Sequence, residues 1–126
     1  MGVSLPPPNT TVDGQSFATI LHGKVVPGKT VSLTEHRHQT RDEGIPPTHA
    51  SIRTPEWAYV EYTNKGDREY YNLTSDPWEL NNSYAALPPN MKQSLHDTLT
   101  KLSNCQGKVA CGQAAQPSLK FAKFQP

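Results

Sequence analysis

The feature that most constrains the fold is residues 53–82, where strand-forming sequence alternates with abrupt turn residues. Along residues 57–62 (WAYVEY) the side chains of one strand are distributed to both faces with a period of two, and both sets are largely apolar. The polar run 63–67 contains a glycine that accepts positive φ, and residues 68–73 form the return strand. Pro77 then ends the sheet because it has no N–H for a ladder bond. The stretch predicts a β-hairpin with a defined end.

Two further strands and one long helix are predicted around this hairpin. Residues 31–36 alternate as a half-buried strand, a polar loop covers residues 39–48, and a second strand begins at Ala50. A short helix over residues 17–21 is capped by Ser16. Near the C-terminus, prolines open a helix that ends near residue 104 and carries one apolar stripe, namely Met91, Leu95, Leu99 and Leu102. The predicted fold class is α+β: a four-stranded antiparallel sheet packed against a C-terminal helix.

Composition indicates that this sheet is meant to be covered by something further. Leu, Ile, Val and Phe make up about 18 per cent of the chain, below the roughly 20 per cent that an adequate core needs. A net charge of +1 argues against full disorder, and it gives no basic stripe for nucleic acid. No apolar run is long enough to span a membrane, and no secretory signal is encoded in the chain. We therefore expect a piece of a larger protein.

Three motifs resemble one enzyme family. One sequence pattern is similar to the C-terminal end of sulfatases: RTxxxxYVEY, then a glycine-bearing turn, then REYYxLxxDPxELNN. Sulfatases are sulfuric-ester hydrolases of alkaline-phosphatase-like fold, and they include arylsulfatases and N-acetylglucosamine-6-sulfatases. Residues 13–17 (DGQSF), followed by ILHG at 20–23, resemble the segment that closes the catalytic domain of those enzymes. Glu35 and His36 match a strand that ends in Glu-His in many secreted members. The resemblance covers about residues 5–115.

The resemblance implies a division of the chain and a location for the parent protein. Residues 1–30 would be the tail end of the catalytic domain and a linker, 31–104 the sheet-plus-helix subdomain, and 105–126 a disulfide clip and flexible tail. The parent would be secreted, lysosomal or periplasmic, with its signal upstream of this chain. Its partner would be the catalytic domain, which in the full enzyme binds a sulfated small molecule or sugar.

The cysteines and the glycosylation sequons also bear on whether the parent protein is exported. The spacing of Cys105 and Cys111 is compatible with a disulfide clip, and the alternative is two unpaired thiols. The spacing does not match the paired ligands of a zinc site. Secreted sulfatases often carry such a terminal pair, so the resemblance favours the disulfide. Sequons at Asn9, Asn72 and Asn81 would be usable for glycosylation in a eukaryotic secretory route, and they also arise by chance in an Asn/Thr-rich chain.

The catalytic chemistry of sulfatases has no counterpart in this sequence. The family uses a Cys/Ser-x-Pro-x-Arg segment, whose first residue becomes formylglycine, and a calcium ion held by Asp and Asn oxygens. The nearest match starts at Ser4 and has Pro8 where arginine is required, and neither cysteine begins the motif. We therefore expect no catalytic residue, metal or cofactor in this chain, and place calcium and formylglycine in the catalytic domain.

The remaining ionisable cluster is a candidate for substrate binding. Glu35, His36 and His38 lie together in the sequence EHRH, where cationic donors at a strand end would reach a sulfated sugar bound by the neighbouring domain. A solvated strand end explains the same residues. Two functions remain open: a non-catalytic C-terminal part of a sulfatase that contributes packing and pocket rim, or a free-standing binding module derived from one.

Overall fold

The computed structural model describes residues 18–23, 31–37, 47–63 and 66–115. The predicted fold class is confirmed, since four antiparallel strands are followed by helices. One 3₁₀ turn over Tyr84–Ala86 links the last strand to the long helix. The elements are α1 (Ala18–Leu21), β1 (Ser32–His36), β2 (His49–Arg53), β3 (Trp57–Tyr62), β4 (Arg68–Asn72), α2 (Pro89–Asn104) and α3 (Lys108–Ala114).

The sheet is a meander in which each strand pairs with the next along the chain. Its register aligns residues in rows across all four strands, and one such row is Leu33, Ile52, Tyr59 and Tyr70. Because successive side chains alternate between the two faces of a sheet, every second row lies on the same face. We call the face that carries Ile52 and Tyr59 the packed face, and the face that carries His49 and Tyr62 the open face.

The hairpin between β3 and β4 closes as its turn residues require. Gly66 has φ of +71° and its N–H donates to the carbonyl of Tyr62 at 3.0 Å. Tyr62 in turn donates its N–H to the carbonyl of Asp67 at 2.9 Å, which ends the ladder. β4 ends at Asn72, one residue before the predicted boundary, although the Leu73 N–H still bonds to the carbonyl of Glu56 at 2.8 Å.

Helix α2 supplies the second layer and completes the core. It begins at Pro89, whose fixed φ suits the first turn, and it ends at Asn104 as predicted. All four residues of the predicted stripe are buried. The core cluster takes its strand residues from the packed face alone, and its buried members are Val31, Ile52, Trp57, Tyr59, Tyr70, Leu87, Met91, Leu95, Leu99 and Leu102.

Five aromatic residues of the hairpin and of the loop after it are divided between the two faces and that loop, namely Trp57, Tyr59, Tyr70, Tyr71 and Trp78. Trp57, Tyr59 and Tyr70 lie on the packed face and are buried. Tyr71 alone belongs to the open face, and Trp78 lies in the loop after β4. The alternation assigned the two faces correctly, but it did not indicate which of them α2 would cover, because both are rich in aromatics.

The chain ends differ from the sequence-based prediction at one place. α1 and its end at Gly23, with φ of +72°, match the short helix, while Ser16 lies outside the described residues. No helix was predicted after residue 104, yet α3 forms there. Its start is marked by Gly107 at φ of +83°, and Ala114 and Ala115 at its end pack against the core. Residues 116–126 of the predicted flexible tail lie outside the described residues.

The predicted disulfide between Cys105 and Cys111 is confirmed, with a Cα–Cα distance of 5.1 Å. Cys105 caps α2, donating its N–H to the carbonyl of Leu102, and Cys111 lies within α3. The bond therefore joins the C-terminal end of α2 to the middle of α3.

Candidate functional site

A row of rings crosses three strands on the open face. The register places His36 of β1 opposite His49 of β2, and His49 opposite Tyr62 of β3. The two imidazole rings stack with centroids 5.5 Å apart, and the ring of Tyr62 lies 5.7 Å from that of His49. All three side chains are half-buried. The row thus combines two stacked imidazoles with a tilted phenol ring.

One backbone contact fixes the proton on the central ring. Nδ1 of His49 lies 2.8 Å from the carbonyl oxygen of Pro47. Because a carbonyl only accepts, Nδ1 is the donor, and in the neutral ring the lone pair is then on Nε2. The ring of His49 is thereby held in one orientation between its two neighbours.

A carboxylate holds the tyrosines at the end of this row. The hydroxyl of Tyr71 donates to Oε2 of Glu69 at 3.0 Å. Burial first, and then this hydrogen bond, raise the pKa of Tyr71 to about 12. The pKa of Tyr62 is also raised, by burial and then by the charge and the hydrogen bond of the same carboxylate. Both phenols are therefore donors, not anions, at neutral pH.

A depression of about 420 Å³ opens beside this cluster, at the turn end of the β3–β4 hairpin. Its lining is mostly polar and includes Arg68 as its cation. The guanidinium of Arg68 is also held by the hydroxyl of Tyr84 at 3.4 Å and by Glu61 at 3.6 Å, so only part of its donor capacity faces the depression. The lining residues are Pro47, Tyr62, Asp67, Arg68, Glu69 and Asn82.

A second polar cluster, on the packed face, ties the helix to the sheet. Oε1 of Glu61 accepts hydrogen bonds from the hydroxyl of Tyr59 and from Nδ1 of His96, the latter at 2.8 Å. Burial and the bond to Glu61 raise the pKa of Tyr59. His96 appeared isolated in the sequence, but α2 carries it to the edge of the sheet. The cluster is explained by packing of α2 on the sheet.

The structure separates the predicted substrate-binding residues. Glu35 and His36 are consecutive, so they lie on opposite faces of β1. Glu35 pairs with Arg37 at 3.8 Å, near the strand end. His36 joins the ring row, and His38 lies outside the described residues. The histidine that His36 does meet, His49, was not singled out from the sequence, although pairing of the two predicted strands was the signal that would have found it.

The three sequons also differ in their surroundings. Oδ1 of Asn72 accepts the N–H of Thr74 at 3.1 Å, and the side chain is half-buried. Asn81 is exposed, and its own N–H donates to Asp76 at 2.8 Å. Asn9 lies outside the described residues. Glycosylation at these positions stays a prediction.

Metal-binding clusters and membrane-spanning helices are both absent from the part of the chain that the structure describes. Within it, no three His, Cys, Asp or Glu side chains are grouped to hold a metal ion. None of the helices described there is both long and apolar enough to cross a membrane.

Comparison with known proteins connects this architecture to one family. No family model matches the chain. The extracellular sulfatase SULF-1 homolog of Drosophila melanogaster is 38% identical over 73 residues, which is 58% of this chain and 6% of that protein. The chain therefore resembles one stretch of a sulfatase. This match confirms the predicted similarity to the C-terminal portion of sulfatases, and the chain spans only a small part of its relative's length.

Solved structures show the same fold. BT4656, determined in complex with its substrate D-glucosamine-2-N,6-O-disulfate, matches 94% of this chain with a TM-score of 0.62 and 19% identity, over 23% of its own length. A putative sulfatase from Bacteroides thetaiotaomicron matches 81% of this chain with a TM-score of 0.54 and 22% identity, over 21% of its length. BT1596, a 2-O GAG sulfatase, matches 81% with a TM-score of 0.53 and 21% identity, over 22% of its length. The sulfatase-like unit is about a fifth of each larger chain.

Proposed function

We propose that this chain is the C-terminal part of a sulfatase that hydrolyses aryl or sugar sulfate esters, and that it contributes packing and part of the substrate-pocket rim. The observation that carries the proposal is the asymmetry of the structural match. BT4656 accounts for 94% of this chain, whereas this chain accounts for 23% of BT4656. The fold is thus found as one portion of a larger sulfatase chain.

Catalysis belongs to a separate domain in this proposal. A sulfatase needs a cysteine or serine in the Cys/Ser-x-Pro-x-Arg motif for conversion to formylglycine, and this sequence lacks the motif. Both cysteines are committed to a disulfide, so neither sulfur is free for that conversion. Calcium and formylglycine are therefore assigned to the catalytic domain, where the cation would neutralise the sulfate and the aldehyde hydrate would supply the nucleophile.

The ring row is the part of this chain best suited to the rim. Sulfate and sugar oxygens accept hydrogen bonds from imidazole N–H and phenol O–H groups. His49 and Tyr62 carry such groups on one face, beside a depression that Tyr62 and Arg68 line. Of the residues predicted from sequence, His36 would act by stacking on His49, since its own Nε2 is buried. Glu35 would act from the other face, and His38, which lies outside the described residues, is proposed from the sequence alone.

An exported parent is the location that fits these features. The Drosophila relative is named an extracellular sulfatase. The disulfide between Cys105 and Cys111 is of the kind that persists in oxidising compartments. Secretion, or delivery to a lysosome or periplasm, is accordingly part of the proposal, and glycosylation of the exposed Asn81 would follow in a eukaryotic host.

Sequencing the native transcript upstream of the codon for Met1 tests the proposal. We expect an in-frame region long enough to hold the other three quarters of a BT4656-sized protein and to carry Cys/Ser-x-Pro-x-Arg. An in-frame stop codon directly upstream would contradict it and would favour a free-standing binding module. As a second check, the purified chain with calcium should not release p-nitrophenol from p-nitrophenyl sulfate, and turnover that follows the protein through purification would refute the non-catalytic role.

A further inference from the structure

The loop after β4 presents two large apolar side chains to solvent. We call residues 73–81 the Trp78 loop. Trp78 is 81% exposed and Leu80 is 77% exposed, the two highest values among the large hydrophobic residues that the structure describes. They are two positions apart in a single loop. A pair of this size on a rigid support is typical of an interaction site.

The backbone of the Trp78 loop is held from inside by one carboxylate. Oδ1 of Asp76 accepts the N–H of Leu80 at 3.1 Å, and Oδ2 accepts the N–H of Asn81 at 2.8 Å. The N–H of Asp76 donates to the carbonyl of Asn72 at 2.8 Å, which anchors the start of the loop to the end of β4. Trp78 therefore lies within a loop that is closed on both sides by hydrogen bonds.

A strained residue beside Trp78 fixes the loop to the open face. Glu79 has φ of +56° and is the non-glycine residue with positive φ among those described. Its carboxylate pairs with Arg53 of β2, which lies on the open face. A non-glycine residue keeps such a conformation only where the surroundings enforce it, and such strain concentrates at functional sites. The ion pair makes the Trp78 loop and the open face one continuous surface.

This construction differs from a loop that exposes apolar residues by chance. A pliable loop would let Trp78 and Leu80 fold back onto the apolar surface of the sheet. The bonds of Asp76 and Glu79 prevent this and hold both side chains outward. Tryptophan is enriched among the residues that dominate binding energy, and a pre-ordered anchor loses little conformational entropy when it binds.

We propose that Trp78 and Leu80 form the anchor by which this unit docks on the catalytic domain of a sulfatase. This inference rests on the proposed function and names its contact surface. The three solved neighbours carry this fold in chains of which it covers 21 to 23%, so a much larger body of sulfatase sequence accompanies it in each. The low aliphatic content of the chain is that of a unit whose surface is covered by such a body.

The test measures binding of the chain to a sulfatase from which the corresponding segment has been removed. The probe is the Drosophila extracellular sulfatase homolog expressed without the segment similar to this chain, titrated by isothermal calorimetry. We expect Trp78→Ala to weaken binding at least about tenfold and Leu80→Ala by a smaller factor. Val109→Ala is the matched control, because Val109 is 74% exposed but lies on α3, and it should change the Kd by less than about twofold.

A second variant separates the anchor from its support. Asp76→Ala leaves Trp78 in place but removes both acceptors that order the loop, so binding should weaken while the melting temperature of the sheet changes little. If the unaltered chain binds and the Trp78→Ala variant binds equally well, the anchor is wrong and the proposed function still stands. No binding by the unaltered chain contradicts both. Dimers of the isolated chain that dissociate on Trp78→Ala, measured by sedimentation equilibrium, would assign the anchor to a second copy and overturn the inference.

Discussion

The two faces of the sheet are built from similar residues but are used differently. The packed face meets α2, and Ile52, Tyr59 and Leu95 are completely buried between them. On the open face, His36, His49, Tyr62 and Tyr71 are half-buried and take no part in the core cluster described above. Aromatic side chains thus have two roles in one small sheet, since some supply buried area and others supply surface with polar groups.

The difference shows how hydrogen bonding divides these roles. On the packed face, the one hydroxyl at the centre of the core, that of Tyr59, is satisfied within the domain by Glu61. On the open face, the hydroxyls of Tyr62 and Tyr71 are hydrogen-bonded to Glu69, in a half-buried position. The packed face therefore holds the fold together, and the open face with its adjoining loop is available for contact.

The largest effect should come from emptying the packed face. Leu95 is 0% exposed at the middle of α2, so Leu95→Ala leaves a cavity and should lower the free energy of unfolding by about 2–5 kcal/mol. The exposed Val109 gives the control, with a change within about 0.5 kcal/mol for Val109→Ala. Urea unfolding followed by circular dichroism measures both. Equal losses for the two variants would contradict the packing of α2 on the sheet.

A smaller loss of stability is expected at the edge strand β4, where Asn82 bonds to the backbone. Oδ1 of Asn82 accepts the N–H groups of Tyr70 and Tyr84 at 3.1 and 3.0 Å, and Nδ2 donates to the carbonyl of Arg68 at 3.1 Å. Asn82→Ala removes these three bonds, each of which contributes about 0.5–1.5 kcal/mol net, and should cost about 1–3 kcal/mol in all. Its control, Asn104→Ala, removes one exposed bond to Thr100. If Asn104→Ala costs as much in the same urea titration, the edge is not closed by Asn82.

The disulfide lies outside the sheet and should matter less. Its short loop removes little entropy from the unfolded chain, so replacing both Cys105 and Cys111 by serine should cost at or below about 2 kcal/mol. The expected change is local, with faster proteolysis after residue 104 while the sheet stays intact. Intact mass before and after alkylation, without reductant, reports the bond itself. Two alkylatable thiols in protein from an oxidising compartment would contradict the pairing.

The smallest expected effect is a loss of folding stability at alkaline pH, which depends on Tyr71 of the open face. The pKa of Tyr71 is raised to about 12, so the folded state keeps its proton where the unfolded chain, near pKa 10, releases it. Its contribution to stability is present below pH 10 and is lost as the pH rises towards 12. Tyr71→Phe should therefore lose less stability over that interval than the unaltered chain. Parallel losses in urea titrations at pH 9 and 11 would show that Glu69 does not hold this phenol.

Much of the fold followed from the sequence because its signals are local. The period of residues 57–62, the glycine of the hairpin turn and the stripe of α2 each depend on neighbouring positions, and each element forms within about one residue of its predicted end. α3 was missed because seven residues after a glycine carry little periodic signal, and its packing through Ala114 and Ala115 is tertiary.

The candidate site was harder to predict because it depends on register. His36 was singled out for its neighbours in the chain, Glu35 and His38, yet its structural neighbour is His49, thirteen positions away. Strand pairing brings these rings together, and pairing register is a non-local property. Likewise, the motif around Trp78 indicated a turn, but the exposure of its side chain depends on the contacts of Asp76 and Glu79.

The most direct test of the difference between a packed face and an exposed loop uses the two tryptophans of the chain. Trp57 is 4% exposed within the core cluster, whereas Trp78 is 81% exposed. Trp78→Phe leaves Trp57 as the sole indole, and iodide, which quenches only accessible indoles, reads out its exposure. We predict that iodide quenches a large part of the emission of the unaltered chain and very little of the blue-shifted emission of the variant. Equally strong quenching of the variant would contradict the account, because Trp57 would then not be buried in the core.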